Sequence, residues 1–432
     1  MKNIFLTLFS FLSASCYWIS VSSTSAAPLI SIGDNTDIYF NGSSSLRWAS
    51  NIFRNEDNEE SDSSWTISPG LEINVGRGIS NADLTIITRY DIVSYQDNDQ
   101  LDTELFHIEA LGSYESSRLD VNASASFDEN KINTEQNNLE DDLVELNRAV
   151  GELDAEYRVS PKFSFGAGVR YDETEYQTYV DRFVDRESIR YPLSVYYELT
   201  PKLDLILGYT YSNSDIEGTS SSFPSDFDPV AQIVTEITDV IQTGYERDSH
   251  FYNIGLRGNI STKVTGYFKV GYRTRSPEDS IRLSTPFDVS VNPPTPLPIQ
   301  TTTINRDDSG MLGLDANLTW MATTKLLAQL ALSRDFGTGG EGESTEATRG
   351  TLVGNYSFNS HWSSTANIGY SKTDYSDNGR ADEQFTGGLR VMYVLNPYWR
   401  FSAGYNYTEN DSTRVNSSYE NETLDLTAIL RY

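Results

Sequence analysis

Cysteine is almost missing. One residue, Cys16, stands in 432, so the chain holds neither a disulfide scaffold nor a cysteine-ligated zinc site. Basic side chains are outnumbered, 32 against 62 acidic ones. The resulting net charge of -30 excludes a nucleic-acid partner, because a polyanion repels a polyanion and no basic patch interrupts the run. Only three histidines occur, and neither H-E-x-x-H nor G-x-S-x-G is present, so the common metalloprotease and serine-hydrolase signatures are absent. Long apolar runs are lacking as well. After Val21 no stretch of about 18 apolar residues exists, so no membrane-crossing helix is encoded. The hydrophobic share of 38%, tyrosine included, is low for a thick apolar core. Aromatics, by contrast, reach 12%, with 27 tyrosines.

The N-terminus carries an address. Lys2 precedes an apolar run from Ile4 to Val21, broken by small polar residues, and then Ser22-Ser23-Thr24-Ser25-Ala26-Ala27-Pro28. A positive start, a short hydrophobic stretch and small residues at its end read as a secretory signal cleaved near Ser25 to Ala27. A membrane anchor fits less well because the run is interrupted, and a lipoprotein reading through Cys16 meets Ser13 where leucine is expected. The expected division is therefore a signal peptide over 1–26 and one domain over 27–432.

That domain alternates. Leu203, Leu205, Leu207, Tyr209 and Tyr211 take every second place against Asp204, Gly208, Thr210 and Ser212; Phe163 to Tyr171 and Trp399 to Tyr407 do the same. Period two means strands with one apolar and one polar face. A soluble sandwich with its apolar faces inward is the plain alternative. Against it, the strands are long and numerous, and aromatics sit at the tips of the apolar face, as in the girdles of outer-membrane barrels. Short breaks recur at Glu115–Arg118, Ser160–Lys162, Thr200–Lys202, Ser261–Lys263, Thr323–Lys325, Asn359–His361 and Asn396–Tyr398. Longer polar connections lie between them, at about 51–63, 94–101, 128–143, 173–187, 213–244, 276–305, 335–345, 374–381 and 409–417. Short turns on one side and long loops on the other predict an all-β, transmembrane, antiparallel up-and-down barrel of about 18 strands. Both termini fall on the periplasmic side of a Gram-negative outer membrane, and the count is uncertain by two.

The C-terminus adds Leu424, Leu426, Ala428, Leu430 and the final aromatic Tyr432 on one face. Such a strand resembles the signal read by the barrel-assembly machinery, with Tyr432 where phenylalanine is commoner. Only the lipid-facing half of each strand needs to be apolar, and barrels of this size leave a wet interior. The polar faces place Arg47, Arg89, Arg170, Arg273, Arg390 and Arg400 in the lumen, together with Glu72, Asp91, Asp120, Asp154, Glu156, Asp204 and Asp315. These charges either compensate one another or set up a transverse field.

The loops carry further expectations. Acid clusters at Glu56 to Asp62 and Asp128 to Asp142 read as a solvated, mutually repelling surface, since the spacing of a calcium loop is lacking; divalent cations bridging them to lipopolysaccharide phosphates are the alternative. In the fifth loop, Asp228, Pro229, Val230, Ile233, Val234, Ile237, Val240 and Ile241 combine an N-cap, a first-turn proline and i, i+3, i+4, i+7 spacing. They predict an amphipathic helix that narrows the mouth. The sixth loop holds six of the 14 prolines, Pro277, Pro286, Pro293, Pro294, Pro296 and Pro298, and is expected to be extended and to resist forming strand or helix. Gly337, Gly339 and Gly342 match G-x-G-x-x-G, but no helix opens there to hold a phosphate, so a flexible loop is expected. His107 and His250 near the upper rim stand as isolated histidines on a polar wall, not as catalytic bases. No catalytic residue, metal or cofactor is expected.

Asn51-Ile52-Phe53, Glu60-Ser61-Asp62 and Ile67-Ser68-Pro69-Gly70-Leu71-Glu72-Ile73 resemble the opening of the β-barrel porin-2-like family. That resemblance implies an outer-membrane pore or scaffold tied to exopolysaccharide export or surface-polysaccharide assembly, with polysaccharide export components as partners. The residues themselves show only a pore. Tyr39, Tyr196 and Tyr267 offer inward rings for sugar stacking under that reading. A general or solute-selective diffusion porin, its constriction set by a loop folded into the lumen, is the alternative. A structural or adhesive surface barrel is the third reading.

Overall fold

A computed structural model of the protein describes residues 27–76, 81–133, 142–228, 233–289, 294–376 and 379–432, and no side chain over 223–236. The expected signal segment lies outside the described residues. Eighteen antiparallel strands form one closed wall. They are β1 (Thr36–Ala49), β2 (Asp62–Val75), β3 (Ala82–Tyr95), β4 (Thr103–Glu115), β5 (Leu119–Ile132) and β6 (Val144–Ser160). Next come β7 (Phe163–Tyr176), β8 (Arg186–Thr200), β9 (Leu203–Ile216), β10 (Tyr245–Asn259), β11 (Val264–Pro277) and β12 (Ser309–Met321). The last six are β13 (Leu326–Thr338), β14 (Ser344–Ser357), β15 (Trp362–Tyr375), β16 (Ala381–Val394), β17 (Trp399–Ser412) and β18 (Tyr419–Arg431). Each pairs with its neighbours in sequence, and β18 pairs with β1 through Leu426↔Leu46 and Arg431↔Asn41. The seam ends in a reciprocal pair, Phe40 N to Tyr432 O at 2.6 Å and Tyr432 N to Phe40 O at 2.8 Å.

Closure explains the composition. In hydrocarbon every backbone donor and acceptor needs an internal partner, and a closed sheet has no edge. One parity of each strand is therefore free to be greasy and faces lipid: Leu46, Ile67, Leu153, Leu193, Leu207, Ile254, Leu312, Ile368, Leu389 and Leu426 are all exposed. Aromatics ring this band at both ends. Trp320, Trp362, Trp399 and Phe163 mark the short-turn side, and Trp65, Tyr191, Tyr252 and Tyr370 the long-loop side. No helix among the described residues is long and apolar enough to cross a membrane. The molecule is an outer-membrane β-barrel of the Gram-negative kind, with its termini on the short-turn, periplasmic side.

The short turns share one device. Ser116, Ser160, Thr200, Ser261, Thr323, Asn359 and Asn396 each turn a side-chain oxygen back onto backbone N–H groups two or three residues on, as in Leu119 N to Ser116 Oγ at 3.0 Å and Trp399 N to Asn396 Oδ1 at 2.9 Å. Local capping of this kind starts a reversal without help from the rest of the fold.

Two loop expectations fail. Among the described residues of 228–241 no helix forms. Thr219–Asp228 and Ile233–Gln242 are strands paired with each other, and the second also pairs with Ser280–Asp288. With Thr295–Pro296 and Gln300–Ile304 they build a separate five-stranded sheet. Asp228, Ile233, Val234 and Ile237 lie in its strands, whereas Pro229 and Val230 fall outside the described residues. The run Ile233–Gln242 reads IVTEITDVIQ, in which seven β-branched side chains favour extended backbone over the helical period. The proline-rich sixth loop is equally not strand-free. Pro286 sits within Ser280–Asp288, opposite Thr238, and its carbonyl accepts from Leu297 N at 2.7 Å, because a proline removes only a donor.

The two faces differ in what they tolerate. Replacing lipid-facing Leu389 by arginine is expected to lower unfolding free energy in vesicles by about 2–4 kcal/mol, whereas Asn122→Arg on the opposite face shifts it by less than about 1 kcal/mol. Urea titration of both variants checks this, and equal losses would contradict the assignment of faces.

Candidate functional site at the extracellular mouth

The inner parity gathers charge. Every one of the ten charged residues Arg47, Arg89, Arg170, Arg273, Arg390, Arg400, Glu72, Asp91, Asp204 and Asp315 lies on the face opposite the exposed apolar side chains. Most are matched. Arg170 meets Glu152 at 2.9 Å, Asp204 meets Arg257 at 3.0 Å, Glu72 meets Arg431 at 2.7 Å, and Arg390 meets Asp425 at 3.2 Å. Lys269 stands 3.8 Å from Asp315, and Arg89 2.9 Å from Asp91. Arg47 lies opposite Asp425 in register, and Arg400 opposite Ile429 near the periplasmic end. His107 bridges Asp91 and Asp128 at 3.3 and 2.9 Å, an ion-pair position on the inner wall. His250, by contrast, sits on the outer face among Tyr209, Tyr211 and Tyr252, at ring separations of 5.5–6.3 Å.

The inward tyrosines are covered. Arg257 lies 3.4 Å over the Tyr196 ring and Arg431 3.9 Å over Tyr39, which is itself buried. Lys269 sits 4.8 Å from the Tyr267 ring, whose hydroxyl donates to Asp315 at 3.0 Å. Cations thus occupy ring faces that a sugar would need.

The glycine loop between β13 and β14, expected to be flexible, is instead buried and hydrogen-bonded to its surroundings. Gly339, Gly340, Gly342, Glu343 and Ser344 are all buried. Gly339 N donates to Glu343 O at 2.7 Å, which closes the loop on itself. Residues of β8, β10 and β11 and of the loop before β8 grip it. Arg247 donates to Gly337 O at 2.7 Å, Arg186 to Thr338 O and Gly339 O at 3.4 Å each, and Val184 N to Gly340 O at 2.9 Å. The Tyr245 hydroxyl donates to Gly342 O at 2.8 Å, and Arg275 to Thr345 O at 3.2 Å. Asp335, at the base of the loop, meets Arg273 at 3.0 Å and Arg190 at 3.3 Å. Arg190 lies on β8 and Asp335 on β13, five strands away around the wall, so the pair spans the interior. Glu341 takes Arg182 at 3.2 Å and Arg414 at 3.5 Å, from two further loops.

Apolar contact completes the seal. Val184, Ile216 and Tyr245 form one buried cluster, and Val144, Leu146, Tyr176 and Phe183 another, with the Tyr176 and Phe183 rings stacked at 4.9 Å. Gly342 fits against the first. Its φ of +83° is open to glycine, and a Cβ there would stand 3.3 Å from Val184 Cγ2. At Gly339 a Cβ would meet the Glu343 carboxylate at 2.3 Å. The G-x-G-x-x-G spacing therefore serves close approach, with strand on both sides and no helix to hold a phosphate. The sequence reading missed Arg186, Arg190, Arg247, Arg275 and Asp335; only their inward parity marked them.

Residues 307–432 match the model of the family described as "Putative beta-barrel porin 2". The matched region is the C-terminal part, from β12 onward, and not the first hairpin, where the resemblance was drawn. No curated protein matches the chain. Among solved structures, the "Copper transporter OprC" aligns at 10% identity and a TM-score of 0.45, over 91% of this chain and 80% of its own. The ferric-catecholate import receptor Fiu from E. coli K12 aligns at 10% and 0.41, over 94% and 82%. The outer membrane protein opdK from Pseudomonas aeruginosa aligns at 11% and 0.37, over 92% and 99%.

Glu343 makes the loop pH-sensitive. Burial pushes its carboxyl above the usual glutamate range, with Glu341 adding to the shift and Arg380 opposing it. A raised pKa means that the docked loop prefers the protonated acid, so docking weakens as pH rises through that value and strengthens as pH falls. Amide exchange over 339–344 is expected to report a larger opening free energy at about pH 5 than at about pH 7.5. Glu343→Gln is expected to abolish the difference; persistence of the difference in that variant would assign it elsewhere.

Proposed function

We propose that the barrel is a solute-selective diffusion porin whose constriction is the inward loop 339–343. The observation that carries this reading is that loop's set of hydrogen bonds to β8, β10 and the loop before β8, three to five strands away around the wall, made by Arg247, Arg186, Val184 and Tyr245. Barrels of 16–18 strands leave an aqueous interior, so the ten inner charged residues line a hydrated path, and the loop sets its width. Charges of both signs keep that path wet, while ion pairs hold most of them against the wall. The neutral stretch of the wall, with Asn355, Asn367, Thr386, Asn406 and Thr427 on its inner parity, offers amides and hydroxyls along which polar solutes slide.

Transport of a wide polysaccharide is less well supported. Cations cover the inner rings, and the loop bridges the mouth, so a polymer chain would have to displace at least five hydrogen bonds before entering. The acidic outer loops, Leu426, Ala428, Leu430 and Tyr432 in β18, and residues 1–26 keep the roles proposed from sequence: a lipopolysaccharide-facing surface, an assembly signal and a leader.

Replacing 339–343 by Asn-Gly, a two-residue hairpin turn, is expected to raise single-channel conductance in planar bilayers about twofold or more, since the narrowest section dominates pore resistance. Conductance equal to that of the intact chain would remove the loop from the conduction path.

A further inference from the structure

The protein carries a net charge of -30, yet its constriction is positive. Arg190 and Arg273 share one carboxylate, Asp335. Arg186 and Arg247 bond only carbonyl and hydroxyl oxygens among the described residues, so no carboxylate pairs with either guanidinium. Arg247 is 7% exposed, and its Nε has no hydrogen-bond partner. Arg349, on the inner parity of β14, makes no hydrogen bond or ion pair among the described residues and is exposed. Other carboxylates nearby are engaged: Asp382 is bound by Arg380 at 2.6 Å, and Glu341 by Arg182 and Arg414. Among the described residues here, Glu343 is the buried acid left without an ion pair, packed over Gly339.

Beside this cluster lies a cavity of about 80 Å³, lined by Gly337, Arg349, Thr373, Gln384, Asn410 and Asp382 among others; the Asp382 carboxylate on that wall is neutralised by Arg380 at 2.6 Å. Its wall includes the residue whose carbonyl Arg247 holds. Hydroxyl and amide donors around a free guanidinium suit a small oxyanion, and the volume suits one such ion or two to three waters at about 30 Å³ each.

Resting on the porin reading, we infer that the constriction is an anion filter, with a binding site for a small oxyanion of the carboxylate or phosphate type at Arg349 beside Gly337. Guanidinium groups at the narrowest point attract anions and repel cations where solvent screening is least. The acids without ion-pair partners on the inner wall, such as Glu109 and Asp154, lie on β4 and β6, lower in the barrel and away from the loop.

The test measures reversal potentials of the full barrel in a potassium chloride gradient, together with equilibrium dialysis of inorganic phosphate against detergent-solubilised protein. Arg349 has no partner to lose, so Arg349→Gln is expected to keep the fold; heat-modifiable migration checks this, and Arg247→Gln serves as the second variant. A chloride-over-potassium permeability ratio above 1, falling about threefold or more in either variant, supports the filter. Cation preference in the native barrel, or a ratio unchanged in both variants, overturns it while leaving the pore standing. Absence of conductance removes the porin reading instead. Phosphate binding then decides the site alone: loss of binding in Arg349→Gln upholds it, and equal binding by native and variant protein rejects it.

Discussion

Water is absent from the hydrocarbon layer, and every feature of this chain follows from pairing its backbone without it. The pairing is complete only because Tyr432 reaches Phe40 and β18 lies along β1. Once the wall closes, side-chain parity becomes a partition between two solvents. A slip of one residue in any strand would turn Leu207 and Tyr209 inward and Asp204 toward lipid, so the register is specified by both phases at once. This is why a chain with few apolar residues has a firmly determined fold: half of each strand supplies the whole hydrophobic requirement.

Much of the fold was legible for that reason. Alternation in Leu203–Tyr211 and Trp399–Tyr407 is a local signal, and the Ser, Thr or Asn that opens each short turn acts on N–H groups two or three residues away. Strand number followed from counting these turns. The fifth loop misled because two local signals conflicted. Its spacing matched a helical period, while its β-branched content favoured strand, and the deciding factor was a partner strand, Ser280–Asp288, some forty residues along the chain. The sixth loop failed for the same reason seen from the other side, since prolines were judged without knowing which N–H groups the partner required.

The mouth was less legible still. Gly337, Gly339 and Gly342 were visible as a pattern, but their purpose depends on Val184, in the loop before β8, and on Tyr245 and Arg247 of β10. Inward parity was readable for Arg190 and Asp335, yet nothing local says that these two meet across the interior. Ion pairs between adjacent strands, such as Glu152 with Arg170, can be anticipated once register is known. A bridge between β8 and β13 depends on how the loops above pull the two walls together.

The way the loop is held explains why its surroundings remain charged. A guanidinium bonded to a carboxylate is neutralised, whereas one bonded to a carbonyl keeps its full charge while losing its hydration. Desolvating arginines against Gly337 O, Thr338 O and Gly339 O therefore has a cost that each charge-assisted bond, at roughly 1.5–3 kcal/mol, offsets only in part. The remainder falls to the apolar contacts of Val184, Ile216 and Tyr245 and to the close approach that glycine permits. Carboxylates in place of those carbonyls would make a tighter and electrically silent plug. On the porin reading proposed above, building the plug from backbone oxygens instead leaves the constriction with a field, and a field at the narrowest point is what distinguishes a selective pore from a sieve.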